Sequence, residues 1–108
     1  MRLEAELREA FTRLRGALEA HLEASLARSR AKEALEMALA EGLLSGEIVG
    51  KNAEEREARA RSLYSHLYQA LQEAEEALLR ARAEVEAARA QAEEVSLLVR
   101  LLSAEVRG

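Results

Sequence analysis

A repeat of apolar residues in the second half of the chain constrains the fold more than any other feature of this sequence. Fourteen successive positions between residues 60 and 106 alternate four-residue and three-residue steps. Each of them holds an apolar residue or a tyrosine: Ala60, Tyr64, Leu67, Leu71, Ala74, Leu78, Ala81, Val85, Ala88, Ala92, Val95, Val99, Leu102 and Val106. Glu and Arg dominate the positions in between. This heptad pattern predicts a long helix that buries one narrow face against another helix, as in a coiled coil.

The first half of the chain is also predicted to be helical, with a less regular pattern. His21 and Arg28 interrupt its apolar stripe, which Leu35 and Leu39 then resume. Only 3% of the residues are aromatic and 33% are charged, a composition typical of long helices rather than of a thick globular core. The stripe consists of Leu3, Leu7, Phe11, Leu14, Leu18 and Leu22, and alanines recur beside it every seven residues at Ala10, Ala17, Ala24, Ala31 and Ala38.

A short segment rich in glycine separates the two helical patterns. Gly42 or Gly46 is expected to end the first helix, because glycine adopts the left-handed conformation at little cost. Asn52 is a favourable N-cap for the second helix, and Glu55 completes an approximate capping box. The sequence therefore predicts an all-α fold with a first helix over about residues 2–43, a corner over about 43–51 and a second helix over about 52–106.

Side-chain sizes indicate how the two helices pair. If the chain folds back at the corner, Leu7 faces Ala88 and Leu14 faces Ala81, so large residues lie opposite small ones. Such matching permits close helix packing. It favours an antiparallel two-helix coiled-coil hairpin as a single domain over residues 1–108. A second chain could fill the same seam, and the sequence does not decide between these arrangements.

In this alignment the second helix extends beyond the first, and its last residues are unusually apolar. The apolar arc there widens to about 200°, which a single partner helix cannot cover. A two-helix hairpin also has little core of its own. We therefore expect chains to associate in a helical bundle, most simply as a dimer, through Val95, Leu97, Leu98, Val99, Leu101, Leu102 and Val106.

Two further surfaces are candidate binding sites. A cluster of basic residues on a chain of net charge −4 is a candidate nucleic-acid patch, although glutamates alternate with it as in an ordinary solvated surface. Apolar residues at the corner form either a patch for a protein partner or a staple that joins the helix ends. The patch consists of Arg28, Arg30, Lys32, Arg56, Arg59 and Arg61, and the corner residues are Leu44, Glu47, Ile48 and Val49.

The residues that catalysis or cofactor binding would require are missing or wrongly spaced. The Gly46–Lys51 segment is one residue too short for a phosphate-binding loop, and Asn52 stands where that loop carries Ser or Thr. Neither His21 nor His66 follows a glutamate at the spacing of a carboxylate-bridged metal site. The chain has no cysteine. We expect a non-enzyme without a metal or a cofactor.

The remaining compositional signals concern the location and source of the protein. The sequence has no apolar run of about 18 residues that could span a membrane. No apolar signal-peptide segment follows Met1, so we expect a cytoplasmic protein without a membrane partner. All acidic residues are glutamates, and abundant Glu and Arg are typical of proteins from thermophiles.

The corner GEIVGKN, Gly46 to Asn52, and the Glu/Ala/Arg/Leu-rich helix after it resemble small helical hairpin proteins encoded by bacteriophages and prophages. Val99 to Leu102 takes the place of an "LLRLL"-like segment in that group, and the resemblance covers about residues 42–104. The group has no settled activity, so the resemblance implies a genomic setting near phage replication and recombination genes. A looser likeness is to the coiled-coil domain of bacterial transcript-cleavage factors. Their tip carries two acids, whereas this corner has only Glu47, and no cleavage activity is expected.

Together these features predict a structural or adaptor protein, of phage origin, that self-associates and contacts another protein. The alternative is an accessory factor of phage DNA replication, recombination or transcription that contacts nucleic acid or the proteins acting on it.

Overall fold

A computed structural model describes the backbone of residues 2–107 and the side chains of residues 2–105. The described chain consists of three helices, α1 (Arg2–Ser45), α2 (Ala53–Leu63) and α3 (Ser65–Arg107), and contains no strand. The predicted all-α class is confirmed. The second predicted helix, however, is interrupted at Tyr64 and is present as α2 and α3.

The interruption at Tyr64 is confined to one residue. Tyr64, at φ −115° and ψ 32°, donates its N–H to the carbonyl of Ala60 at 2.9 Å. Its own carbonyl accepts N–H groups from both Leu67, at 2.9 Å, and Tyr68, at 3.1 Å. The bond from Leu67 spans three residues, which is tighter than an α-helical turn. Because Ala60, Tyr64 and Leu67 keep their heptad spacing through this tight turn, the sequence pattern gave no sign of it.

The described chain divides into two compact units. Unit 1 comprises Met1–Glu23 and Leu79–Gly108, and it contains the first part of α1, from Arg2, and the last part of α3, up to Arg107. Unit 2 comprises Ala24–Leu78, with the rest of α1, the corner, α2 and the start of α3.

The core of unit 1 consists of two small clusters between α1 and α3. As the contact positions on α1 advance from Ala10 to Ala17, those on α3 recede from Val95 to Val85, so the two segments are antiparallel. Small residues at the centre bring the helices close together, and Ala10 and Ala88 have no exposed surface. One cluster contains Ala10, Ala92 and Val95 with Leu7, Leu14 and Val99 packed against it, and the other contains Ala17, Val85 and Ala88 with Leu14 packed against it.

The register within unit 1 differs from the predicted one by about one heptad. Leu14 packs against the cluster that contains Ala88, whereas size matching paired Leu14 with Ala81. Leu7 packs against the cluster that contains Val95, and the predicted pairing of Leu7 with Ala88 was wrong. A shift of one heptad leaves the same helix face inward, so periodicity alone does not distinguish the two registers.

The buried row of α1 is made of the alanines rather than of the larger residues beside them. Ala10 and Ala17 are 0% and 4% exposed, whereas Phe11, Leu18 and Leu22 are 41%, 44% and 60% exposed. The predicted stripe was therefore correct at its half-buried positions Leu3, Leu7 and Leu14 and wrong at Phe11, Leu18 and Leu22. Close approach of two helices at small residues leaves large side chains on the flanks of the contact.

In unit 2 the chain leaves α1 through a glycine and folds a corner residue onto the helix end. Gly46 has φ +81°, the left-handed conformation that ends many helices, as expected for one of the two candidate glycines. The N–H of Ile48 donates to the carbonyl of Gly42 at 3.0 Å, and the Ile48 side chain is 6% exposed. The Tyr64 hydroxyl and the end of the Ile48 side chain both lie against Gly42, which leaves no room for a larger residue there.

The start of α2 has the predicted cap. The Asn52 side-chain oxygen Oδ1 accepts the N–H of Glu55 at 2.8 Å, and Glu55 Oε2 accepts the N–H of Lys51 at 2.8 Å. The first bond satisfies a backbone donor that the first turn of the helix leaves without an intrahelical partner, and the second holds the residue that precedes the cap. Asn52 itself is extended, with φ −147° and ψ 175°, as an N-cap residue normally is.

Replacing Asn52 by alanine is expected to lower the free energy of unfolding by about 1 kcal/mol, because the Glu55 N–H loses its acceptor. Denaturant titration followed by circular dichroism measures this difference. Asn52→Asp is the matched control, since it retains an acceptor at the same position and should unfold like the wild type. Equal destabilisation by both substitutions would show that the cap bond is not the cause.

Candidate functional site

Four leucines near the end of α3 form the first candidate surface, which we call the leucine surface. Leu97 and Leu101 are each 55% exposed, and Leu98 and Leu102 are each 43% exposed. At 100° per residue they cover an arc of about 140° over two turns of the helix. Large aliphatic side chains clustered in this way on a protein surface are typical of an interaction site.

Two of the residues predicted to mediate chain association do not belong to this surface. Val95 is 9% exposed and lies in the cluster with Ala10 and Ala92, and Val99 packs against the same cluster. They are inside unit 1 because the actual register brings the start of α1 further along α3 than the predicted register did. The side chain of Val106, which was predicted to join them, lies outside the described residues.

The predicted partner tip divides into buried and exposed residues. Ile48 is 6% exposed and packs at the end of α1, in agreement with the staple interpretation for that residue. Leu44 and Val49 are 89% and 63% exposed, and Glu47 is also exposed. Leu43, which is 57% exposed, also lies in the predicted corner, so the corner offers three exposed apolar side chains and one carboxylate to a partner.

Two arginines of the predicted nucleic-acid patch bind the corner, and a third has contacts on the helices. Arg56 Nη1 donates to the carbonyl of Gly50 and Arg59 Nε donates to the carbonyl of Glu47, each at 3.3 Å, which holds the corner residues against α2. The guanidinium of Arg61 donates to Glu57 on α2 at 3.2 Å and lies 4.7 Å from the centroid of the Tyr68 ring on α3.

The other three residues of that patch lie on the part of α1 that belongs to unit 2. Arg28 is half-buried on the inner face of the helix, whereas Arg30 and Lys32 are exposed. The basic residues thus do not present six free cations on one surface.

A bidentate ion pair joins the two segments of unit 1 on one side of their contact. Arg13 donates to both carboxylate oxygens of Glu84, at 2.7 and 2.9 Å, and to the side-chain oxygen of Gln91 at 2.7 Å. The hydrogen bond between Arg13 and Glu84 raises the pKa of Arg13 and lowers the pKa of Glu84. Sequence reasoning missed these contacts. Glu84 lies almost opposite Arg13 even in the predicted register, but Gln91 lies about one heptad out of line there.

A shallow groove lies on the opposite side of the same contact, and sequence reasoning missed it too. Phe11, the only phenylalanine in the sequence, lies at its centre. We call it the Phe11 groove. The sequence feature that could have indicated this groove is an aromatic residue on an apolar stripe that has arginines beside it. The groove consists of two adjoining depressions that share Phe11. One, between α1 and α3, is lined by Phe11, Leu14, Arg89, Ala92, Glu93, Ser96 and Arg100, and the other, on α1 alone, is lined by Leu7, Arg8, Phe11, Thr12 and Arg15.

No metal cluster or membrane-spanning helix adds to these surfaces in the part of the chain that the structure describes. No three His or Glu side chains there are grouped so that they could hold a metal ion. His21 is half-buried on α1 and His66 is exposed on α3. None of the described helices is both long and apolar enough to cross a lipid bilayer.

Comparison of the chain with known proteins finds no matching family model, no similar curated protein and no similar solved structure. The resemblance to phage-encoded hairpin proteins therefore stays a prediction. The leucine surface, the corner and the Phe11 groove are the surfaces that the described chain offers to a partner.

Proposed function

We propose that this protein is a non-enzymatic structural or adaptor protein whose chains self-associate through the leucine surface. The observation that carries the proposal is the exposure of four leucines within two turns of α3, each at 43–55%. Covering the exposed half of a leucine side chain gains about 1 kcal/mol, so the surface contributes about 4 kcal/mol per chain. A symmetric pair gains about twice that, which is comparable with the cost of bringing two chains together. The expected association is therefore weak to moderate.

The small core of the chain supports the same proposal. Of the nine buried apolar residues in the described chain, five are alanines, and no large side chain is fully buried. Five alanines bury little apolar area, and hydrophobic stabilisation is roughly proportional to that area. Contacts between chains would add the burial that the single chain lacks.

In the proposed architecture each chain is an antiparallel two-helix coiled-coil hairpin, and two chains form a helical bundle. The antiparallel contacts of unit 1 and the capped corner of unit 2 support a hairpin. The leucine surface supplies the contact between chains. A phage origin remains part of this proposal through the corner motif alone.

Sedimentation equilibrium of the full chain at about 5–200 µM tests the self-association, since this range covers a weak to moderate dimer. We expect a reversible dimer, and we expect Leu97→Glu/Leu101→Glu to be monomeric because it places two charges in the interface. Leu22→Glu/Leu79→Glu is the matched control, since those leucines are 60% and 62% exposed outside the leucine surface and the charge change is identical. A wild type that is monomeric throughout the range, or equal dissociation of both variants, rules the proposal out.

The alternative, a factor that contacts nucleic acid, has weaker support. Arg56 and Arg59 each donate an N–H to the corner, and Arg61 donates to Glu57 and lies on the Tyr68 ring, so these contacts restrict how the three guanidinium groups can meet a phosphate backbone. Titration of a labelled DNA oligonucleotide at low salt, where phosphate contacts are strongest, tests this alternative.

A further inference from the structure

The Phe11 groove carries an excess of positive charge on a chain that is acidic as a whole. Four arginines and one glutamate, Glu93, line it, whereas the whole chain has a net charge of −4. Arg8, Arg89 and Arg100 form no ion pair or hydrogen bond with another side chain among the described residues, and Arg15 reaches only the Thr12 hydroxyl at 3.4 Å. These cations are therefore available to an external ligand.

The floor of the groove is apolar. Phe11 is 41% exposed at its centre, Leu7 and Leu14 are half-buried beside it, and Ala92 is 3% exposed beneath it. The floor runs between two antiparallel helix segments. A third helix packs readily along such a line, with its own apolar face inward.

The arginines border this floor on both sides. Arg8 and Arg15 lie on α1 before and after Phe11, about 10 Å apart along the helix axis. Arg89 and Arg100 lie on α3, about 16 Å apart. Because the segments are antiparallel, Arg100 lies towards the start of α1 and Arg89 lies nearer Arg15. The charged border thus follows the groove for about 20 Å, the length of a helix of about 13 residues.

We propose that the Phe11 groove is the docking site for an acidic amphipathic helix of a partner protein. The apolar face of that helix covers Phe11 and Leu14, and carboxylates on its two flanks pair with Arg8 and Arg15 on one side and with Arg89 and Arg100 on the other. Bidentate arginine–carboxylate pairs give such a contact both orientation and specificity.

Two features favour an acidic helix over a nucleic-acid strand. Single strands bind along several aromatic side chains, whereas this groove has only Phe11. The floor is also apolar, with Leu7, Phe11, Leu14 and Ala92, and Glu93 lies at its edge, which suits an apolar helix face better than a phosphate backbone.

The docking site borders the leucine surface without coinciding with it. At 100° per residue, Leu98 and Leu102 lie a third of a turn or more from Arg89 and Ser96 around α3, whereas Leu97 lies only 60° from Arg100. The proposed ligand is a different helix from the second copy of the chain that the leucine surface would bind.

A labelled synthetic peptide of about 18 residues, with leucines at positions i, i+3, i+4 and i+7 and glutamates on both flanks, is the probe. Fluorescence anisotropy with the full chain at about 50 mM salt is expected to show saturable binding with a Kd in the micromolar range. The same peptide with glutamine in place of glutamate should bind at least about tenfold more weakly, and added salt should weaken only the acidic peptide.

Variants of the chain locate the binding. Arg89→Glu/Arg100→Glu should weaken acidic-peptide binding at least about tenfold, and Phe11→Ala should weaken it several-fold. Arg30→Glu/Lys32→Glu is the matched control, because it makes the same charge change at exposed positions of unit 2. Circular dichroism confirms that each variant folds. Leu98→Glu/Leu102→Glu changes the side of the leucine surface that lies away from the groove arginines, so it should retain peptide binding even where it abolishes self-association, which separates the two proposals.

Several outcomes would overturn the docking proposal. The first is that binding of the acidic peptide shows no saturation up to about 1 mM. The second is that Arg89→Glu/Arg100→Glu and its control weaken peptide binding equally, and the third is that the glutamine peptide binds as tightly as the glutamate peptide. Tighter binding of a 20-nucleotide oligothymidylate, lost in Arg89→Glu/Arg100→Glu, would assign the groove to nucleic acid instead. If the wild type were a dimer, Arg89→Glu/Arg100→Glu were a monomer and no peptide bound, the groove would be assigned to a second copy of the chain.

Discussion

Replacing Ala88 by leucine is expected to lower the free energy of unfolding by about 2–3 kcal/mol. Ala88 has no exposed surface and lies in a cluster with Ala17 and Val85, against which Leu14 packs. Three extra carbon atoms at this point push the two helix segments of unit 1 apart, because close-packed neighbours leave no space for them. The melting temperature should fall by about 10 °C, since 1 kcal/mol corresponds to about 4–8 °C for a chain of this size.

The neighbouring residue supplies the control for this substitution. Ala87 is exposed on the same helix, so Ala87→Leu makes the same chemical change in the same local backbone. It should alter the free energy of unfolding by less than about 0.5 kcal/mol. If both substitutions had equal effects, the observed packing of α3 against α1 would be contradicted.

Double-mutant cycles then test the register itself. In the structure Leu14 packs against the cluster that contains Ala88, whereas the sequence placed Leu7 opposite Ala88. Leu14→Ala should therefore relieve part of the cost of Ala88→Leu, while Leu7→Ala should add to it independently. A coupling energy of about 1 kcal/mol for Leu14 and near zero for Leu7 is expected. Coupling of Ala88→Leu with Leu7→Ala, and none with Leu14→Ala, would support the register predicted from the sequence.

The heptad pattern predicted which face of α3 is buried but did not predict what lies opposite it. Val85, Ala88, Ala92 and Val95 are all buried, as their spacing indicated. A register shift of seven residues preserves every inward position, so only details outside the periodicity separate the alternatives. The hydrogen bond from Arg13 to Gln91 is such a detail, and it becomes visible only when both helices are placed.

Side-chain size misled the prediction for α1. Leucine and phenylalanine suggest a core, but a seam of alanines brings the helices so close that Phe11, Leu18 and Leu22 remain on its flank. The Phe11 groove exists for this reason. Its arginines come from two segments about 80 positions apart in the sequence, so no local sequence motif predicts the groove. The corner was easier to predict, because helix stops and caps such as Gly46 and Asn52 depend on neighbouring residues alone.

Replacing Gly50 by alanine is expected to destabilise the corner by about 2 kcal/mol. An added Cβ would lie 2.8 Å from the backbone nitrogen of Arg56 and 2.8 Å from Cβ of Glu55. These atoms belong to the first turn of α2, so the clash cannot be relieved by rotating the end of a flexible side chain. Either the corner or the start of α2 has to move, and the bond between Asn52 and Glu55 is then strained or lost.

Gly16→Ala provides a control of opposite sign. Gly16 lies within α1, and a Cβ there would meet no atom within 4 Å outside its own helix backbone. The substitution should raise the free energy of unfolding by about 0.5–1 kcal/mol, because alanine favours the helix more than glycine does. Denaturant titration gives both differences. Hydrogen exchange should also show faster exchange of the α2 amides in Gly50→Ala but not in Gly16→Ala, because only the first substitution disturbs unit 2. Two alanine substitutions that shift stability in the same direction would contradict the close approach of Gly50 to α2.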